Sequence, residues 1–296
     1  MNIAANTKGA IDYQVCKYPG SRIAFRGPLR PLNAPYVAVL GGSETLGKFV
    51  DDPFVDLLEK RLEEPVVNLG VMHAGLTLFL DDPAVMKIAS EARLTIVQLF
   101  GAQNMSNRFY TVHPRRNDRF LAASARLQAL YPEVDFTEFN FTGHLLTALE
   151  ERNPKSFQKV VAELRTAWVH RMITLLKSIT GDCLLLWMSD RAPDTPSAMA
   201  SGADPMFLNW AMLDALLPYA SGLVEVVSSP RAKAEGLSAR AFLPGEEAAA
   251  LALPGPRFHA EAADALAEAI LGVEETAPNR MTSAPFVFRT SGGPPI

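Results

Sequence analysis

The chain has 296 residues, 48% of them hydrophobic and 20% charged, with a net charge of −4 and a pI near 5.8. That length suits one large α/β domain with insertions. The mildly acidic balance gives no footing for nucleic acid or an anionic membrane surface, and no run reaches the roughly 20 apolar residues of a membrane span. The two cysteines, Cys16 and Cys183, come without CxxC, HxH or HExxH spacing, so neither a disulfide scaffold nor a metal site is expected.

Residues 1–35 have no clear period and carry Pro19, Gly20, Gly27, Pro28, Pro31 and Pro35, which predicts an extended lead-in laid over the domain. The first 20 residues hold no continuous apolar stretch that could serve as a secretory signal, so a cytoplasmic protein is expected. The first strand is predicted at about 36–41, an apolar run buried on both faces. Gly41-Gly42-Ser43 then turns the chain into a helix and leaves Ser43 at the carboxyl end of the strand. In an open α/β sheet, ligands and catalytic groups collect at that edge. Asp52-Pro53, Asp82-Pro83, Asn153-Pro154 and Asp204-Pro205 each place a capping acceptor before a proline, and each predicts a helix start. A helix at 53–63, a strand at 65–70, a helix at 83–92 and a strand at 94–100 follow, a rhythm that implies right-handed crossovers and a parallel sheet.

Residues 103–153 break the rhythm with an arginine-bearing loop (Arg108, Arg115, Arg116, Arg119) and helical pieces expected at 118–130 and 140–151. Such an insertion at a sheet's carboxyl edge suits a lid or a substrate wall. A long helix from Pro154 to Ile179 resumes the core. The fourth strand, 183–188, ends at Ser189-Asp190, a helix is expected at 205–217, and the fifth strand at 222–227. A long loop, 228–258, delivers His259 to a final helix at 260–271. Residues 273–296, rich in Pro, Ser, Thr and Gly, read as a flexible tail. The predicted organisation is one domain over 36–272, with five parallel strands and the insertion at 103–153.

Three strand ends present glycine or polar residues at one edge: Ser43, then Asn68-Leu69-Gly70, then Gly101-Ala102-Gln103-Asn104. Acyl transfer needs such a set, because a serine nucleophile requires nearby N–H donors for the oxyanion of its tetrahedral intermediate. Gly70 can offer a backbone N–H, Asn104 a side-chain N–H and Ser43 its own. The base that completes the set is expected to be His259. His73 and Asp190 stand at the same edge as further pocket residues.

These residues resemble the blocks of the SGNH or GDSL hydrolases, esterases, lipases and carbohydrate O-acyl hydrolases or transferases on a flavodoxin-like sheet. Gly41-Gly42-Ser43-Glu44-Thr45 resembles the nucleophile block, Asn68-Leu69-Gly70 and Gly101-Ala102-Gln103-Asn104 the two oxyanion blocks, and His259 the block of the base. The resemblance implies a three-layer α/β/α sandwich, Ser43 and His259 as catalytic residues, and an oxyanion hole of Ser43, Gly70 and Asn104. It implies a small-molecule or carbohydrate ester as substrate and no cofactor. The chain departs from the pattern with Gly42 and Met105 where the family usually has Asp, and with Pro256 in place of the aspartate three before the histidine. That last change leaves a Ser–His dyad oriented by a backbone carbonyl, or a carboxylate such as Glu246 or Glu247, to fill the third role. Two other readings remain. One is an SGNH-like domain that binds without turnover. The other takes Gly42 to Lys48 as a GxxxxGK phosphate loop, against which Glu44 and Phe49 count.

Overall fold

Along β1 (Val37–Gly41) every side chain is buried, Val37 and Val39 on one face and Ala38 and Leu40 on the other. Only a strand with helices on both sides can bury both faces this way. The computed structural model of the chain describes residues 11–195, 205–276 and 285–290. After β1 come α1 (Ser43–Leu46), α2 (Phe54–Leu62), β2 (Val66–Gly70), α3 (Leu76–Leu80), α4 (Pro83–Glu91) and β3 (Leu94–Gln98). The insertion holds β4 (Tyr110–His113), β5 (Arg116–Ala123), α5 (Ala125–Leu130) and α6 (Thr142–Arg152). The core resumes with α7 (Pro154–Ser178), β6 (Asp182–Ser189), α8 (Trp210–Asp214), β7 (Gly222–Val227), α9 (Pro230–Ala234), α10 (Glu247–Leu251), α11 (Pro256–Thr276) and β8 (Phe286–Arg289).

The main sheet runs β2-β1-β3-β6-β7-β8, every pair parallel. Its first five strands have the flavodoxin-like order, which reverses direction of travel between β1 and β3 and opens a crevice beyond their carboxyl ends. Helices α2 and α11 cover one face over Val37, Val39, Ile96, Leu184 and Leu186. Helices α4 and α7 cover the other over Leu40, Val97, Leu185 and Trp187. Alanines 262, 263, 265 and 269 on α11 are all buried, and their small side chains let that helix approach α2 and the sheet closely. The layers are therefore those of an α/β/α sandwich.

Five expectations change, the first being that the loop expected at 228–258 holds the short helices α9 and α10. The sheet has six strands, not five, because Phe286–Arg289, placed in the expected tail, pairs with β7. Residues 116–123 are a strand that pairs antiparallel with β4, not part of a helix. The helix expected at 205–217 is short, Trp210–Asp214, and its cap is Asn209, whose side chain accepts the Met212 N–H; Asp204 lies outside the described residues. The final helix begins at Pro256, so His259 lies within its first turn. Asp82 and Asn153 cap α4 and α7 through their side chains, whereas Pro53 precedes α2 with no side-chain cap of its own. Of the lead-in, residues 11–35 are irregular, with Tyr18, Ile23 and Phe25 buried. Arg26 reaches from it to the carbonyls of Gly47 and Val50, both at 2.9 Å, and straps the chain that follows α1.

Candidate functional site

The turn after β1 is held by two side chains, Gln98 and Asn68. Gln98, at the end of β3 and 2% exposed, accepts the Gly42 N–H and the Thr45 hydroxyl at 2.8 Å each and donates to Glu44 at 3.1 Å. A glutamine closing an apolar strand, Leu94-Thr95-Ile96-Val97-Gln98, was the sequence signal for it. Asn68 does the matching work from β2, donating to the Thr45 carbonyl at 2.8 Å. α1 therefore lies directly on the end of β2, where a Cβ on Gly70 would stand 2.2 Å from the Leu46 nitrogen.

Ser43 opens α1 and is 6% exposed. Its Oγ accepts the backbone N–H of His73 at 3.2 Å, and its own N–H occupies the first helical position, where no intrahelical partner exists. His73 holds a left-handed backbone, φ 54°, and an exposed side chain. Asn104 lies beyond it: a Cβ on Gly75 would meet the Asn104 carbonyl at 2.0 Å. The Asn104 Oδ1 accepts the Thr142 hydroxyl at 2.7 Å, which leaves its Nδ2 for another partner. The Gly70 N–H, expected in the oxyanion hole, is instead given to the Asn68 Oδ1 at 2.9 Å. A donor already spent on its own strand is not available to a ligand.

His259 stands apart from Ser43, and no hydrogen bond joins them. It is 1% exposed, stacks on Phe54 with ring centroids 5.9 Å apart, and its Nδ1 accepts the Phe54 N–H at 3.0 Å. It supplies the α2 cap that Pro53 cannot. With Nδ1 accepting, the proton of the neutral ring sits on Nε2, so no lone pair remains to take a proton from a serine. Burial, reinforced by the charges of Arg26 and Arg240, pushes its pKa down to about 3. Of the two glutamates considered for the third role, Glu246 accepts the Leu243 N–H in its own loop and Glu247 opens α10.

Asp190 lines a cavity of about 360 Å³ at the carboxyl ends of β1, β6 and β7, with Glu44, Ser189, Ser228, Lys233 and Arg240. Its carboxylate accepts the Ser228 hydroxyl and its carbonyl the Lys233 ammonium at 2.8 Å. His73 is not among the residues of that cavity; it lies at the Ser43 turn. The stretch Gly42–Lys48 does not form a phosphate loop. α1 starts inside it and ends at Leu46, capped by the left-handed Gly47, and Lys48 lies 4.5 Å over the Phe49 ring. Among the described residues, no three or more His, Cys, Asp or Glu gather in a metal-binding group, and no helix is long and apolar enough to cross a membrane.

The chain is thus a flavodoxin-like α/β/α sandwich with a serine turn, a glycine and an asparagine loop at the strand ends of its switch point. Residues 1–274 match the family described as a domain of unknown function, DUF6473, and the chain belongs to that family. No curated protein matches it. Similar solved structures include the lipase Lip_vut3 from a goat rumen metagenome, at 12% identity and a TM-score of 0.45, covering 79% of this chain and 96% of that one. Another is a carbohydrate esterase family 2 enzyme of Corynascus thermopiles (Myceliophthora fergusii), at 12% identity and TM-score 0.45, covering 84% and 69%. A third, from Slackia heliotrinireducens and assigned to the SGNH hydrolases, has 14% identity and TM-score 0.42, covering 80% and 100%.

Proposed function

We propose that the chain acts through Ser43 on a small acyl ester or an O-acylated carbohydrate, as a hydrolase or an acyltransferase. The observation that supports this is the Ser43 turn itself, with the His73 N–H directed at Oγ from 3.2 Å and the Asn104 amide fixed in the next loop. In the reaction Oγ would attack the acyl carbon, the ester C–O bond would break, and the alcohol would leave with a proton. Water or an acceptor alcohol would then release the acyl group. The Ser43 N–H and the Asn104 Nδ2 would hold the oxyanion without the spent Gly70 donor.

The proton of Ser43 needs an acceptor other than His259. Of the five histidines, His113 accepts two backbone N–H groups through Nδ1 and His144 packs against Phe139. His170 is exposed on α7. His73, exposed and bonded to Ser43 through its own backbone, is the best placed. A second reading, binding without turnover, is favoured by the committed lone pair of His259.

Labelling with a fluorophosphonate, mapped by mass spectrometry, decides between them alongside hydrolysis of 4-nitrophenyl acetate. Under the first reading Ser43 carries the label, and Ser43→Ala lowers turnover by roughly a thousandfold or more. His73→Ala lowers it by about 10²-fold or more, while His259→Asn leaves it within a few-fold. No label and no turnover from folded protein leaves the binding reading.

A further inference from the structure

The insertion ends its hairpin in His113-Pro114-Arg115-Arg116-Asn117. We infer that this tip recognises an anionic group, a carboxylate, sulfate or phosphate, on the ligand held at the Ser43 turn; the inference rests on the acyl-ester reading of that turn. Three observations carry it. The tip is a fixed object: the His113 Nδ1 accepts the N–H groups of both Arg115 and Arg116 at 3.2 Å. It is also fixed to the site. Asn117, 1% exposed, accepts the Gly75 N–H at 2.6 Å and donates to the His113 carbonyl at 2.9 Å. Gly75 lies two residues from His73, whose N–H touches Ser43 Oγ, and Thr142 ties Asn104 to the Asp118 carbonyl of the same hairpin.

The third observation is charge. Arg108 is paired with Glu163, and Arg119 lies 5.5 Å over the Phe141 ring. Arg115 and Arg116 are exposed, and neither has a carboxylate within ion-pair distance among the described residues. Other arginines, such as Arg22 and Arg152, also lack an ion pair among the described residues, but Arg115 and Arg116 stand side by side and next to the Asn117 clamp. Solvation alone would be served by lysine. The planar guanidinium fork matches the paired oxygens of a carboxylate, sulfate or phosphate.

The test compares phenyl acetate with 4-acetoxybenzoate, which adds one carboxylate that cannot reach its own ester and keeps the same acyl group. The wild-type chain is expected to favour the acetoxybenzoate in kcat/KM by about tenfold or more. Arg115→Ala/Arg116→Ala should remove that preference while changing phenyl acetate turnover by less than about twofold, since the arginines touch no reacting atom. Equal use of both esters by the wild type, or an unchanged preference in the double variant, overturns the inference. If neither ester turns over, the acyl-ester reading has failed by itself, and calorimetric titration with succinate and with inorganic sulfate decides the rest. Binding by the wild type that weakens about tenfold or more in the double variant sustains the inference; no binding, or equal binding by both proteins, overturns it.

Discussion

His259 shows how a residue's surroundings, more than its type, set its chemistry. An imidazole in water takes a proton near pH 6.5; this one, walled in and capping α2, has its pKa pushed down to about 3. Below pH 6.5 the unfolded chain takes up a proton that the native state refuses. The stability tied to His259 is therefore present in full above pH 6.5, and it drains away as the pH falls towards 3, at about 1.4 kcal/mol per pH unit. His259→Asn keeps an acceptor near the position of Nδ1 and cannot titrate. Urea unfolding should find this variant somewhat less stable than wild type at pH 7, with the difference narrowing or reversing by pH 4.5. His259→Ala leaves the Phe54 N–H buried without an acceptor beside a small cavity. It should lose about 2–4 kcal/mol at pH 7. Equal pH profiles for wild type and His259→Asn would show that the ring titrates freely, and would return it to the list of bases.

Between residue and molecule stand the turn after β1 and the hairpin β4–β5, and they differ in how plainly the sequence announces them. The turn was legible because its causes are local: an apolar run too short for a helix, two glycines, then a serine. All five expected strands lie within two residues of their observed ends for the same reason. The hairpin was not legible. Arg116-Asn117-Asp118-Arg119 has no alternation that favours a strand, and what makes it one is distant: the Asn117 bond to Gly75 and the Phe120 N–H given to the Asn140 carbonyl. The site divides similarly. Motif order puts Ser43 and Asn104 at the sheet edge where they are found, but the burial of His259 and the loss of the Gly70 N–H to Asn68 depend on packing that spacing does not encode. If Asn117 is the clamp, Asn117→Ala should lower stability by about 1–3 kcal/mol. Trypsin should also cut first, and faster than in wild type, after Arg115 or Arg116; an unchanged first cut would mean the hairpin is held by something else. Gly70→Ala would drive a Cβ into the backbone of α1 and should cost more, about 3 kcal/mol or above.

At the scale of the whole molecule, the sheet has to end somewhere, and on one side it ends at β8. This strand adds to β7 beyond the five-strand core, and it brings Arg289 to within 3.0 Å of Glu225, with its guanidinium 4.7 Å over the Trp210 ring. Glu225 is 8% exposed, and burial pushes its carboxyl pKa up while Arg289 pulls it down. Ending the chain after Thr276 would remove that opposing charge and uncover the β7 edge. Arg289 keeps 26% of its side chain exposed, so losing it costs less than the roughly 3–5 kcal/mol of a fully buried pair, and the shortened chain should still unfold at lower urea at pH 7. The pH dependence identifies the cause. A carboxyl whose folded pKa is raised is at a disadvantage only when ionised, so the deficit relative to the full chain should be largest at neutral pH and shrink as Glu225 takes up its proton towards pH 4.5. The His259 contribution is common to both chains and cancels in the difference. Glu225→Gln in the shortened chain should recover part of the lost stability at pH 7. A deficit that stays constant with pH, and that Glu225→Gln does not relieve, would mean that β8 stabilises the sheet through its backbone pairing alone.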